Sequence, residues 1–245
     1  MNRLSLFLLG SAALLVSAPA LAANTASISQ IGDDGFLVVT QDATGSGFAT
    51  ITQTGQRNQI QVDQTDGLHN PPGLHNPPTY RNTATIVQEG HDNGINHGLL
   101  LPAVRPGQDN TVAGGVVNKV DLRQSGFNNA IGYSQSGQGH DIHFVQGGNG
   151  QSARITQSGE FDGVNGHQDG ALNFSTIEQS GKFDRVNFDQ TATDSRLTVF
   201  QYGDLDFASV TQTGRNNTFV AFQQGNGATA LVTQGGTGNF TQISH

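Results

Sequence analysis

The chain has 245 residues, no cysteine, 19 acidic against 11 basic side chains and only 12% charged residues. A net charge of −8 argues against nucleic acid or an anionic membrane as partner, and the absence of thiols excludes a disulfide-stapled scaffold. Few charges and 33 glycines would suit a disordered chain, but a strict periodicity excludes that reading.

The chain opens MNRLSLFLLGSAALLVSAPALAA. Arg3 supplies a positive n-region, Leu4 to Val16 an apolar stretch, and Ala20-Leu21-Ala22 a small-residue cleavage site. Residues 1–22 are therefore predicted to be a secretory signal peptide and are left out of the fold. No later segment approaches the roughly 20 continuous apolar residues of a membrane helix, so an exported chain with no transmembrane segment is expected. Without Arg3 the basic count falls to 10 against 19 acidic, a net charge of −9.

Residues 23–64 carry the first repeats. Gln30, Gln41, Gln53, Gln64 and Gln88 stand at spacings of 11, 12, 11 and 24. Before Gln88, GLHNPPGLHNPP (67–78) is a perfect tandem hexamer, and removing both copies returns the last spacing to 12. Residues 65–81 are read as a Pro-rich loop, because proline cannot join a β-ladder. One further repeat occupies 82–93. Residues 94–117 are a second interruption, either a large loop or two degenerate arms, since the spacing from Gln88 to Gln124 is 36 against 33 for three arms.

From 118 to 245 the pattern is regular. Gln124, Gln135, Gln146, Gln157, Gln168, Gln179, Gln190, Gln201, Gln212, Gln223 and Gln234 recur at a constant spacing of eleven. Gly126, Gly137, Gly148, Gly159, Gly170, Gly181, Gly203, Gly214, Gly225 and Gly236 follow two places later, with Ala192 the one break. With Gln as slot zero, slots −4 and −2 are apolar apart from Ser175 and Gly166, and slots −3 and −1 are mostly polar. Alternation with period two gives strands with one buried face, because apolar residues two apart would fall on opposite faces of a helix. Slot −6 usually holds a small polar side chain of inward parity: Asn118, Asn129, Asp162, Asn173, Asp184, Asp206, Asn217 and Asn239. Gly, Asn and Asp tolerate the positive φ of a tight corner.

These features predict an all-β, amyloid-like β-solenoid of stacked strand–turn–strand coils with about 22 residues per coil. Roughly sixteen arms would make about eight coils. Coils about 4.8 Å apart would set Gln above Gln and Asn above Asn, as ladders whose amides satisfy one another. Those Gln and Asn residues form the expected polymerisation ladder, and the ten glycines its turns. Phe161, Phe183 and Leu205 share slot +4 and should form an apolar column, serving either corner packing or lateral contact between fibres.

Catalytic chemistry is not visible. His140 and His143 point to opposite sides of a strand, and His143 and His167 are two slots out of line, so both pairs read as solvated surface. His69 and His75 lie in the duplicated loop, where only a weak adventitious metal site would form. Asp33-Asp34 lacks the recurring Ca²⁺ nonapeptide, and Asp204 and Asp206 are explained by turn chemistry. With no nucleophile, zinc or phosphate-loop motif, the chain is expected to be no enzyme and to use no cofactor or metal.

The repeat QSGFNNAIGYSQ (124–135), QDGALNFSTIEQ (168–179) and QTGRNNTFVAFQ (212–223) resembles the curlin repeat of curli fibre subunits. The resemblance covers residues 26–245 apart from the two insertions. It implies an extracellular functional amyloid, a pilus-like surface fibre serving biofilm matrix and cell adhesion. Its implied partners are other copies of itself, a nucleator subunit and an outer-membrane secretion channel. The family's inward Ser of the second corner survives at Ser195, whereas its Gly/Asn-rich leader has no counterpart here. The runner-up is a secreted monomeric β-solenoid adhesin or binding module whose two insertion loops carry recognition. The repeat runs to His245 without a capping motif, which favours the fibre.

Overall fold

A chain that alternates apolar and polar residues and reverses at glycine closes a coil from two strands and two corners. The computed structural model describes residues 3–9, 25–33, 35–42, 48–65, 83–92, 94–96, 108–109 and 118–245; the duplicated Pro-rich hexamers lie outside them. The described residues form an all-β solenoid with no helix, its two sheets facing each other.

The nine-stranded sheet 1 contains β2 (Thr25–Ile31), β4 (Phe48–Gln56), β6 (Thr83–His91), β9 (Lys119–Gln124), β11 (Asp141–Gln146), β13 (Gly163–Ala171), β15 (Arg185–Thr193), β17 (Phe207–Arg215) and β19 (Thr229–Gln234). The eleven-stranded sheet 2 contains β1 (Arg3–Leu9), β3 (Phe36–Asp42), β5 (Gln59–Thr65), β7 (Gly94–Asn96), β8 (Gln108–Asp109), β10 (Ala130–Gln138), β12 (Ser152–Glu160), β14 (Phe174–Lys182), β16 (Arg196–Gln201), β18 (Thr218–Gln223) and β20 (Phe240–Ser244). From Asn118 onward, successive rungs pair in parallel at a sequence separation of 22, as in Gln135↔Gln157 and Gln168↔Gln190.

One place differs from the sequence reading. Residues 94–117 supply one rung in two pieces: Ile95 pairs with Ile60 and Ile131, and Gln108 with Gln64 and Gln135. The interruption is thus one split arm, which supplies the rung of sheet 2 between β5 and β10. Arg3–Leu9, set aside as signal peptide, pairs antiparallel with β3. The outer edge of β3 offers free backbone groups, and an apolar extended segment satisfies them.

The core is the two inward faces. Slots −4 and −2 of the interior coils are buried, including Ile131, Ile142, Phe144, Ile155, Ile177, Leu197, Val199 and Phe219 at 0–1% exposure. Each large side chain of this kind contributes about 1.5–3 kcal/mol on burial. Gly166 is explained by its neighbours. It lies between Phe144 and Phe188, whose rings approach to 5.6 Å across it, so no room remains for a side chain.

The corners use positive φ where the sequence does not announce it. Slot +4 is left-handed throughout the described residues, at Arg57, Asp92, Asn128, Phe161, Leu172, Phe183, Asp194, Leu205 and Asn216 as well as at glycines. Slot −6, expected to supply that conformation, acts through its side chains instead. Leu172, with φ 57° and 60% exposure, gains little from burial to offset the strain. Leu172→Asn is therefore expected to raise stability by about 0.5–1 kcal/mol, read as a higher denaturant midpoint.

Candidate functional site

The strand ends leave a polar slot at each corner, and the same residue type returns there in every coil. Within sheet 1, Gln53, Gln88, Gln124, Gln146, Gln168, Gln190, Gln212 and Gln234 form one continuous column. Each Nε2 donates to the next Oε1 at 2.7–2.9 Å. Within sheet 2, Gln135, Gln157, Gln179, Gln201 and Gln223 do the same at 2.9–3.0 Å. Donation always runs from the earlier coil to the later one. The second N–H of the amide reaches across to a backbone carbonyl on the opposite arm, as Gln135 does to Lys119 O (3.1 Å) and Gln179 to Gly163 O (3.2 Å). These amides are almost wholly buried, and burial without a partner would cost about 1–3 kcal/mol each.

The side chains of slot −6 divide between two corner columns. One holds Asn58, Asn129, Gln151, Asn173, Ser195, Asn217 and Asn239. Asn173 shows the mechanism: Nδ2 donates to Asp169 O and Ala192 O (2.8 and 2.7 Å), and Oδ1 accepts from Ser195 N–H (3.1 Å). The side chain thus closes its own turn and clamps the next coil. In the regular region Asn sits directly above Asn only at Asn217–Asn239. Elsewhere Ser195 and Gln151 interleave: Ser195 Oγ accepts from Asn217 N–H (3.1 Å), while Gln151 donates its backbone N–H to Asn129 Oδ1 and its Nε2–H to Gly147 O, four places earlier. The second column runs Asn118, His140, Asp162, Asp184, Asp206, Ala228, and in it each polar side chain again accepts from the next backbone N–H.

Sequence reasoning missed His140. It is completely buried and stands in the Asn slot: Nε2–H donates to Ser136 O (3.0 Å), while Nδ1 accepts from Asp162 N–H (3.3 Å). Burial lowers its pKa below 6.5, so the close approach of its Nδ1 to Asp162 Oδ2 (3.5 Å) is not an ion pair. His143 and His167 lie on the outer face of sheet 1, beside Asp121 and Asp189 respectively, at 3.2 Å. Asp206 is buried at 1% exposure and is not a plain turn carboxylate.

The turn glycines pack coil on coil. A Cβ on Gly159 (φ 121°) or Gly170 (φ 107°) would sit on the carbonyl oxygen of the next coil's Gly181 or Ala192. Gly126, Gly137, Gly148, Gly214 and Gly236 also have positive φ, whereas Gly181, Gly203 and Gly225 do not. On the outer corner, the rings of Phe161 and Phe183 stack 5.0 Å apart, and Leu205 continues the column at 63% exposure.

Among the described residues no group of three or more His, Asp or Glu could hold a metal ion, and no helix is long and apolar enough to cross a membrane. Residues 192–221 match the family model of the curlin associated repeat. No curated protein and no solved structure matches the chain.

Proposed function

We propose that this chain, a β-solenoid bearing the curlin repeat, is a secreted structural subunit of curli-like fibres. It adds end to end to form biofilm matrix and to mediate cell adhesion. One observation carries the reading: each terminal coil has core slots that stay half-open. Ala26 and Ile28 at one end, and Val232 and Ile243 at the other, occupy the positions that are sealed in interior coils. β19 and β20 pair on one side only, with β17 and β18. A second copy laid on them would bury those side chains and complete the backbone ladder. Gln30, whose amide has no partner among the described residues, would then extend the Gln234 column. The Gln and Asn columns are the proposed polymerisation ladder, and the Phe161–Phe183–Leu205 column offers a lateral contact between fibres. Loss of residues 1–22 would free β3 for the same contact, which agrees with export before assembly. A nucleator subunit and an outer-membrane channel are the partners this reading requires; an enzyme's machinery is not.

The test uses residues 23–245 diluted from denaturant. Thioflavin fluorescence with a lag that seeds remove is expected, together with fibre reflections at about 4.7 Å and about 10 Å. A monodisperse β-rich monomer would overturn the fibre reading in favour of a solenoid adhesin.

A further inference from the structure

The second corner column contains three consecutive acids where the first column has mostly amides. Asp162, Asp184 and Asp206 are each 1% exposed. Their Oδ1 atoms accept from the backbone N–H of the next coil at 3.1, 3.0 and 2.9 Å, as Asn Oδ1 does. Their Oδ2 atoms have no hydrogen-bond partner among the described residues.

The place of Oδ2 identifies what is missing. In the amide column, the Nδ2 of Asn58 and of Asn173 lies 3.1 and 3.4 Å from where a Cβ on the glycine three places earlier would be. The Nε2 of His140 stands 3.0 Å from the equivalent point on Gly137. Asp184 Oδ2 and Asp206 Oδ2 stand 3.0 Å from that point on Gly181 and Gly203. In Asn58 and Asn173 this atom is an N–H donor aimed at two backbone carbonyls, one four places earlier and one on the next coil. By the same register Asp184 Oδ2 faces the carbonyls of Ser180 and Gly203. A bare carboxylate there meets only acceptors, whereas a carboxylic acid supplies the donor.

We propose that Asp162, Asp184 and Asp206 are proton-binding residues, held as carboxylic acids that copy the amide clamp, and that their ionisation at alkaline pH loosens these coils. The inference concerns the folded chain and does not depend on fibre formation. The groups around the column agree with it. His140 caps it in the neutral form, and Asp204 adds negative charge to all three acids. Lys182 is ion-paired to Glu160 at 3.2 Å on the outer side of the corner, and His245 favours the charged form of Asp206 alone. Facing the column from sheet 2 are the neutral Gln amides.

Burial, then the neighbouring carboxylates, pushes Asp162 up to about 8 and Asp184 to about 6, and raises Asp206. These values lie above the ordinary carboxylate range, so the folded chain binds the protons more tightly than the unfolded one. The contribution is complete below about pH 4 and is lost as pH rises through about 6 to 8. His140, lowered by burial, acts oppositely and weakens the fold only below its ordinary 6.5.

The test compares the wild type with the triple variant D162N/D184N/D206N, which installs the amide directly. Between pH 9 and pH 7, above the range where His140 acts, the folding equilibrium of the wild type, from denaturant titration, is expected to improve about tenfold, while the variant stays nearly flat. Infrared spectra at pH 7 should show a carboxylic-acid C=O band in the wild type that the variant lacks. A wild type without that band, or a variant that keeps the full pH slope, would overturn the proposal. The infrared arm reads the wild type alone and so survives any folding defect of the variant.

Discussion

Replacing Gln157 and Gln179 together by Leu is expected to cost about 2–6 kcal/mol, at about 1–3 kcal/mol for each buried amide end left without a partner, and to slow fibre elongation in proportion. Leu fills nearly the same volume, so no cavity opens and the loss is polar. Gln135 Nε2 loses its acceptor and Gln201 Oε1 loses its donor, since both bonds run through the substituted pair. Asp141 O and Gly163 O lose a donor as well. Denaturant midpoints check the stability and seeded thioflavin kinetics the elongation. Unchanged values for the double variant would remove the ladder from the account of stability.

Gly159→Ala is expected to be worse for its size, at about 3–5 kcal/mol. The backbone there has φ 121°, which L-residues rarely adopt, and the added methyl group collides with a carbonyl that cannot turn away without breaking its coil. Gly225→Ala supplies the control. A Cβ at Gly225 has nothing within 4 Å and the φ is not positive, so the change should stay within about 0.5 kcal/mol. Equal effects at the two sites would mean that the coil spacing is not what demands glycine.

The period, the buried slots and the Gln column are legible in the sequence because they rest on one residue type repeated at one spacing. What is hidden lies where chemistry is shared by unlike residues. His140, Gln151 and Ser195 take the Asn slot, His140 and Ser195 because each presents an acceptor to the next N–H, and Gln151 because its Nε2 donates to the carbonyl four places earlier while its backbone N–H donates to Asn129 Oδ1. Residue identity conceals that likeness. Slot +4 is hidden for the opposite reason. Phe161, Leu172, Phe183 and Leu205 are poor formers of left-handed backbone, and only the Gly, Asn and Asp of the same slot, such as Gly139, Gly150, Asn128 and Asn216, betray it. Gln108 escapes the count because its spacings, 20 from Gln88 and 16 to Gln124, are not multiples of eleven. The two corners also merge in the sequence. A register of eleven cannot say that alternate arms build different columns, so the acids and the amides look like one population.

The two Gln columns have a further consequence. Every amide in them points the same way, from the first coil towards the last, so their dipoles add head to tail as peptide dipoles do in a helix. The rod is therefore electrically directional, with donors facing one pole and acceptors the other. Any filament that continues these columns has two chemically unlike tips. Growth rates at the two tips should differ, and neighbouring rods gain electrostatically by lying in opposite senses.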